Sequence, residues 1–442
     1  MERYCIAAVR AVARVFTGKK LFLIMALALA LAGTSGMALA DEPAKAIDKA
    51  DTAWLMISTA LVMLMTPGLA IFYAGMARRK NALGTIMHSY FILCLISIQW
   101  VLWGYSVSFG TDIGGMVGGL DFLGLANVGV EPKGTIPHLL FMIFQGMFAA
   151  ITVALITGAF AERIKFTAVV IFSILWAAVV YDPLAHWVWG GGWMQKLGVL
   201  DFAGGIVVHI SCGISALVAA IVVGKRKGYP REHMPPHNLV LTVIGMGLLW
   251  FGWFGFNAGS ALASDGGAVV AFVTTNTAAA AGTLTWVFVE WAHRGKPTVL
   301  GAMSGSVAGL GSITPAAGFV TPSAAIAIGV IAGLLCYFAV SVIKARLGYD
   351  DTLDVFGIHG VAGTWGTLAT GIFASVGAKG LLYGNPRQFV VQLIGAAGTV
   401  VLAAIGTFVI LKIVDALVGL RVSVEQEVEG LDLSQHGESG YM

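Results

Sequence analysis

The segment Asp201-Phe-Ala-Gly-Gly-Ile-Val-Val-His-Ile-Ser-Cys-Gly-Ile-Ser-Ala-Leu-Val-Ala-Ala-Ile-Val-Val-Gly224 is an apolar run with a histidine, His209, inside it. The run is long enough for an α-helix to cross the hydrocarbon core of a bilayer, which takes about 20 residues. A second histidine, His359, lies in the related string Asp354-Val-Phe-Gly-Ile-His-Gly360. Ionisable side chains inside a membrane span are costly and usually face a cavity or pathway. The two histidines, one in each half of the chain, therefore predict one pore built from a duplicated unit.

The composition of the whole chain is that of an integral membrane protein. Of 442 residues, 58% are hydrophobic and 11% are charged, whereas soluble domains average about 25% charged residues. The apolar runs have helix length and lack the short alternation of barrel strands. A net charge of +3 spread over short loops offers no basic face, so nucleic-acid binding is excluded. The four cysteines have no metal-ligand spacing, so the sequence predicts no metal site and no cofactor.

Residues 1–40 have the pattern of a secretory signal peptide. Basic residues precede an apolar run from Leu21 to Ala32, and small residues follow up to Ala40. The pattern predicts cleavage after Ala40. An uncleaved additional helix is the alternative, and in both cases the amino terminus of the mature domain lies outside the cytoplasm.

Eleven further apolar segments predict an all-α membrane protein with eleven transmembrane helices in residues 41–417, one pore per subunit and a cytoplasmic regulatory tail at 418–442. The predicted spans are 52–76, 84–109, 137–160, 167–187, 203–224, 239–260, 269–291, 298–318, 323–343, 355–376 and 388–417.

Basic residues are divided unevenly between alternate loops. One set of loops, together with the tail, carries 14 Lys or Arg, among them Arg78, Arg163 and Arg226, and the other set carries four. Lys and Arg concentrate in cytoplasmic loops. The sequence therefore predicts a multi-pass protein of the inner (cytoplasmic) membrane, with its amino terminus in the periplasm and its carboxyl terminus in the cytoplasm.

Spans one to five and six to ten are predicted to form two repeats of five helices, followed by a C-terminal helix. Because five is odd, the second repeat runs through the membrane in the opposite direction to the first. In transporters with such inverted repeats, binding sites lie between the halves near the midplane. Asp201 with His209 and Asp354 with His359 are the predicted corresponding positions.

Several separated strings resemble one known family. They are Phe144-Gln-Gly-Met-Phe148, Gly158-Ala-Phe-Ala-Glu-Arg163, His186-Trp-Val-Trp-Gly-Gly-Gly192, Asp201 to His209, Trp250-Phe-Gly-Trp-Phe-Gly-Phe-Asn-Ala-Gly-Ser260 and Asp354 to Gly360. Together they are similar to the ammonium transporter family, which includes the Rhesus proteins. The resemblance covers essentially the whole chain after residue 50, and the tail is similar to that of the bacterial branch.

The resemblance implies a homotrimer of subunits with one pore each, and it implies roles for particular residues. The outer ammonium-recruitment site would contain Phe148, Trp189 and Ser260, with Asp201 and Ala203 beside it. From the residues alone, Asp201 is equally compatible with contact to the ion and with a purely structural carboxylate. Trp189 is also compatible with an ordinary aromatic residue at the membrane interface.

The same resemblance implies an aromatic gate and a pore. The gate would be Phe144 or Phe148 stacked with Phe256, and the pore would be lined by His209, His359 and Trp253. The alternative for the two histidines is a packed pair bonded to neighbouring backbone. Asp182, an acid near the outer end of span four, matches no role in the family.

These residue types suit the transport of ammonium, with methylammonium as an additional candidate substrate. Aromatic faces attract a small cation, and a hydroxyl accepts an N–H bond. We expect the nitrogen to cross the constriction as neutral ammonia, with net movement of a proton. A passive ammonia gas channel and an ammonium sensor that signals through a separate partner, such as the PII signalling protein that the family suggests, are the alternatives. No HExxH, phosphate loop or nucleophile motif is present, so an enzyme is not expected.

Overall fold

The computed structural model describes residues 46–441, and these residues form an all-α fold, as predicted. The predicted signal peptide, residues 1–40, lies outside the described residues. Helical segments occupy all the predicted span positions: α1 Lys49–Met76, α2 82–109, α3 His138–Phe160, α4 166–189, α5 Gly205–Val223, α6 Leu239–Gly259, α7 Gly266–Arg294, α8 Val299–Ile313, α9 Pro322–Leu347, α10 356–373 and α11 Pro386–Val418.

The remaining elements are short. Two antiparallel hairpins lie between α2 and α3, one pairing β1 Asp112–Ile113 with β2 Val117–Gly118 and the other pairing β3 Pro132–Lys133 with β4 Ile136–Pro137. A one-turn helix, Trp193–Leu197, follows α4, and the tail contains α12 Val424–Glu429 and α13 Leu431–His436. Single 3₁₀ turns occur at Arg79–Asn81, Leu123–Leu125 and Leu381–Tyr383.

Within residues 46–441, nine helices are long and apolar enough to cross a membrane. The other two predicted spans are shorter: α8 has 15 residues, and the regular part of α10, Val361–Phe373, has 13. At about 1.5 Å per residue, α8 is about 22 Å long, less than a hydrocarbon core of about 30 Å. It ends five residues before the predicted bound because Pro315 has no backbone N–H to continue the helix. The number of complete crossings, eleven, therefore stays a prediction.

Two of the helices begin with π-helical turns that carry the two histidines. Gly205–Ile210 opens α5 and includes His209, and Phe356–Gly360 opens α10 and includes His359. π-Helical turns are rare in proteins as a whole, and those that occur are often found at functional sites.

Close backbone packing brings α5 and α10 together beside these turns. A Cβ built on Gly213 would lie 2.2 Å from both N and Cα of Gly360, a distance that only glycine permits. Small residues at such crossings allow membrane helices to approach closely. The contact fixes the spacing of the two helices one turn away from His209.

The tail packs against loops that carry the larger set of basic residues. Lys165 N donates to Leu420 O (2.9 Å), and Lys227 N donates to Glu427 Oε1 (2.7 Å). Gly84 N, at the start of α2, donates to Asp432 Oδ1 (2.8 Å). The tail and the loops after α1, α3 and α5 therefore lie on the same side of the helix bundle.

The side of the bundle that holds the tail also contains a buried ion network. Arg226 forms a two-point contact with Asp350 (2.9 and 3.0 Å) and reaches Glu162 Oε2 (3.2 Å), which also accepts from Arg78 Nε (2.6 Å). The neighbouring Arg163 is fully buried and donates to four backbone carbonyls and to a threonine hydroxyl. Loop charges that mark topology in the sequence thus also hold the ends of α3, α5 and α9 together.

Candidate functional site

The carboxylate of Asp201 holds the start of α5 and so places His209. Its Oδ1 accepts from Gly204 N (2.9 Å) and Gly205 N (2.7 Å), and its Oδ2 accepts from Ile206 N (2.8 Å) and Val207 N (3.2 Å). The first N–H groups of a helix have no partner within the helix, and a carboxylate there is favourable. The backbone turns into α5 through Gly204, whose φ of 114° an L side chain rarely adopts.

The start of α10 has a related but less complete cap, with Asp351 in place of the predicted Asp354, because Oδ1 of Asp351 has no hydrogen-bond partner among the described residues. Asp351 precedes His359 by eight residues, as Asp201 precedes His209. Its Oδ2 accepts from Phe356 N at 2.8 Å, five residues on, which matches the bond from Ile206 to Asp201. Asp354 instead corresponds to Gly204: it has a positive φ of 62°, and its carboxylate pairs with Lys344 at 2.6 Å.

The two histidine rings face each other in the interior. Their centroids are 5.2 Å apart with an interplanar angle of 15°, and their Nδ1 atoms are 3.2 Å apart, so one ring donates a hydrogen bond to the other. His209 is 1% exposed and His359 is 6% exposed. Within residues 46–441, Nε2 of His209 has no hydrogen-bond partner.

Both histidines line a narrow cavity, in which the space open to the centre of a water-sized sphere is about 10 Å³, and its wall is otherwise aliphatic and aromatic. The indole of Trp253 stacks on the His209 ring with centroids 5.5 Å apart, and its Nε1 donates to Thr314 Oγ1 (3.0 Å) on the far side. The cavity is lined by Met65, Leu69, Phe72, Ile151, Leu155, Val208, His209, Leu249, Trp253, Phe256, Val307 and His359.

An aromatic stack closes one end of this cavity. Phe148 lies on Phe256 with centroids 4.3 Å apart and an interplanar angle of 35°, and both are about 1% exposed. Phe144 contacts the edge of Phe148 (5.0 Å, 66°) from behind. The ring stacked on Phe256 is therefore Phe148, while Phe144 supports it.

The remaining predicted recruitment residues lie around this stack. Trp189 contacts Phe148 edge-on (6.2 Å, 84°), and its Nε1 donates to Asp201 O (2.9 Å). Ser260 Oγ donates to Phe256 O (2.8 Å), which leaves its lone pairs free to accept from a guest. Ala203 is fully buried next to the Asp201 cap. All the N–H groups bonded to Asp201 belong to the backbone, so its contacts are those of a structural carboxylate.

One residue at the site, Thr314, was not predicted from the sequence, and one residue noted in the sequence, Asp182, lies outside the cavity. Thr314 accepts the hydrogen bond of the Trp253 indole, yet a threonine within an apolar run gives no sequence signal of that role. Asp182 is buried and accepts from Gln99 Nε2 (2.7 Å), but it does not line the cavity, so it has no assigned role in the pathway.

Comparison with known proteins identifies the family of the chain. The family model described as Ammonium Transporter Family matches residues 53–441. The chain belongs to the ammonium transporter family. Over 399 residues it is 54% identical to an ammonium transporter of Bacillus subtilis (strain 168), with 88% of this chain and 98% of the relative covered. It is 51% identical over 394 residues to Ammonium transporter Amt1 of Archaeoglobus fulgidus, with 88% and 99% covered.

Solved structures share the fold of this chain. Mep2 of Candida albicans superposes with a TM-score of 0.82 at 36% identity, covering 89% of this chain and 91% of Mep2. A structure titled Sensor Amt Protein superposes with a TM-score of 0.83 at 30% identity, covering 88% and 98%. The prediction of a multi-pass helical membrane protein of this family is therefore confirmed.

Proposed function

We propose that this protein transports ammonium across the membrane by conducting neutral ammonia past His209 and His359. The observation that carries the proposal is the mutually bonded histidine pair in an otherwise apolar cavity beneath the stacked rings of Phe148 and Phe256. Relatives named ammonium transporters that match nearly end to end support the substrate.

Recruitment of the cation takes place outside the aromatic stack. The faces of Trp189 and Phe148 each attract a small cation by about 0.5–2 kcal/mol. The Ser260 hydroxyl, whose hydrogen is bonded to Phe256 O, acts toward a guest as an acceptor. The carboxylate of Asp201 contributes indirectly. Its four N–H bonds fix the backbone at the start of α5, and the Asp201 carbonyl in that segment accepts the hydrogen bond of the Trp189 indole.

The nitrogen enters the cavity after losing a proton. Moving an intact ion into a dry site costs on the order of 20 kcal/mol by Born reasoning, less after relaxation. An amine with a pKa of about 10 loses its proton at neutral pH for only about 4 kcal/mol. Potassium has no proton to lose, so the apolar cavity excludes it.

The histidines give ammonia hydrogen-bond partners where the wall has none. A hydrogen bond between two Nδ1 atoms requires one nitrogen with hydrogen and one with a free lone pair, so the rings have complementary roles. The buried Nε2 of His209, which has no partner among the described residues, is available to the guest. The proton crosses with the nitrogen or by a separate route, which makes transport electrogenic.

We further propose an inner-membrane homotrimer with a periplasmic amino terminus and two inverted five-helix repeats. The contacts of the tail with Lys165 and Lys227 support placing both on the cytoplasmic side. The equal spacing from Asp201 to His209 and from Asp351 to His359, with an N–H bond to each carboxylate from the residue five positions on, supports the inverted repeat. Cross-linking of the purified protein would test the trimer.

Ammonium-evoked current from proteoliposomes on a solid support tests the transport proposal. The parent should give a current, and His209→Ala should lose most of it, whereas the exposed His233→Ala should behave as the parent. Preserved ammonia flux without any current would overturn the electrogenic version and favour the passive gas channel. Absence of both flux and current would overturn transport altogether.

A sensor is the second candidate, favoured by the likeness to the structure titled Sensor Amt Protein. A sensor would signal through a separate protein, with PII as the proposed partner at the docked tail. His209→Asp would then block uptake but leave the signalling response to ammonium intact. Joint loss of uptake and response would speak against a separate sensing role.

A further inference from the structure

A cysteine completes a cluster of metal-binding donors at the histidine pair. Cys212 follows His209 by one turn of α5, and its Sγ and one ring nitrogen of each histidine all lie within 4.8 Å of one another. All three side chains are buried. The transport mechanism assigns no role to Cys212, and the sequence spacing gave no sign of the cluster because His359 comes from a distant helix.

The donors suit a metal ion in type and in position. Thiolate and imidazole are the common ligands of soft and borderline metals. Three donors at about 2.0–2.3 Å from one ion lie roughly 3.8 Å apart in a trigonal arrangement. The two Nδ1 atoms are 3.2 Å apart, and all three donors lie within 4.8 Å of one another. To reach the separation of roughly 3.8 Å, the donor atoms therefore need to move by about 1 Å.

Charge decides which class of ion the cluster accepts. We propose that Cys212, His209 and His359 bind a soft monovalent ion of the Cu(I) and Ag(I) class, which blocks the pore. The thiol loses its proton on binding, and both rings keep one hydrogen each, now on Nε2, with Nδ1 on the metal. One positive charge enters and one leaves, so the site stays neutral overall. A divalent ion would leave a net charge in an apolar cavity, which is costly.

The same cavity that excludes potassium admits a soft ion. Potassium is a hard ion that prefers oxygen, and the cavity wall offers it little in exchange for its water. Silver recovers its lost hydration through strong bonds to sulfur and nitrogen. Phe148 and Phe256 are each about 1% exposed, so we expect block to require preincubation with the ion and to be relieved by a competing thiol.

Direct binding of Ag(I) to the purified full chain tests the site without any transport measurement. The parental reference is a variant that keeps Cys212 alone, with Cys5→Ser, Cys94→Ser and Cys336→Ser. Equilibrium dialysis with elemental analysis should give one tightly bound silver per chain. Adding Cys212→Ser should weaken that binding at least tenfold. Unchanged affinity in the cysteine-free chain would overturn the proposal.

A single thiol also binds silver, so the histidines need their own control. A variant that keeps only the exposed Cys94 supplies the affinity of a lone thiol. The Cys212-only chain should bind at least tenfold more tightly than this reference, and His359→Ala in the same chain should remove the advantage. Equal affinity of the two single-cysteine chains would mean that no cluster forms. Size-exclusion profiles verify that each variant is folded.

Block of transport is the second readout, and it rests on the proposed function. Silver should suppress the ammonium-evoked current of the Cys212-only chain at concentrations at least tenfold below those needed for the Cys94-only chain. Tight binding of silver with an undiminished current would overturn the proposed block of the pore but not the proposed metal site. A chain that binds silver but never conducts would refute the transport proposal and leave the metal site standing.

Discussion

Replacing Gly213 by alanine should separate the two histidine rings without altering either side chain. The new Cβ would lie 2.2 Å from N and Cα of Gly360, whereas ordinary contacts begin at 3.4 Å. Because both neighbours are backbone atoms, α5 and α10 must move apart by about 1.2 Å, the difference between those distances. The Nδ1 atoms, now 3.2 Å apart, would reach up to about 4.4 Å, beyond the roughly 3.5 Å at which such a bond is lost.

Overpacking of this kind costs about 1–3 kcal/mol, so Gly213→Ala should lower the thermal midpoint of the detergent-solubilised protein. It should also reduce the ammonium-evoked current more than the loss of folded protein explains. Gly311→Ala is the matched control, because its Cβ would meet Ala362 at 3.5 Å and His209 at 3.9 Å, both ordinary contacts. Parental current and stability in Gly213→Ala would refute the reasoning.

Three further substitutions test the supports of the site and the docking of the tail. Asp201→Asn removes one of the two accepting oxygens, so two N–H groups at the start of α5 lose their partner. At about 1–3 kcal/mol for each unpaired group, the midpoint temperature of thermal unfolding should fall clearly. An unchanged midpoint would contradict the role of Asp201 as a helix cap. Burial alone would raise the pKa of Asp350, but hydrogen bonds from Arg226 and attraction to its charge lower that pKa overall. Its stabilisation is therefore present above the unfolded-state pKa of about 3.9 and is lost as pH falls through the lowered folded-state value. Asp350→Asn should accordingly destabilise the protein near pH 7, with a difference from the parent that shrinks below about pH 4; a constant difference at all pH values would argue against this pairing. Glu427→Ala removes an acceptor for Lys227 N and Arg421 and should speed proteolysis of the tail, whereas the exposed Glu425→Ala should not; equal rates would mean that other contacts hold the tail.

The helices and the histidine pair could be predicted from the sequence because the signals are local. An apolar run of about 20 residues specifies a membrane helix without knowledge of its neighbours, and histidine within such a run stands out. The positions of the predicted spans therefore agree with the observed helices. The end of α8 was misplaced because hydropathy does not register that Pro315 interrupts the backbone hydrogen bonds.

Relations between distant segments escaped the sequence. One local relation is also wrong: the recognisable string that opens at Asp354 predicts that residue as the counterpart of Asp201, although the eight-residue spacing to His359, which the sequence does contain, selects Asp351. The choice between Phe144 and Phe148 needed the position of α6, which places Phe256 against Phe148. Cys212 lies close to His359 because Gly213 packs against Gly360, and no sequence pattern in either segment predicts this contact between the helices.

Selectivity between ammonium and potassium tests the central claim most directly. The two ions would be applied as matched gradients to the same proteoliposomes, with ammonium uptake and potassium uptake followed in parallel. The account predicts uptake of the nitrogen species and potassium uptake no greater than that of liposomes without protein, because only ammonium can shed a proton before it enters the apolar cavity. Potassium uptake at a rate comparable to that of ammonium would contradict the account.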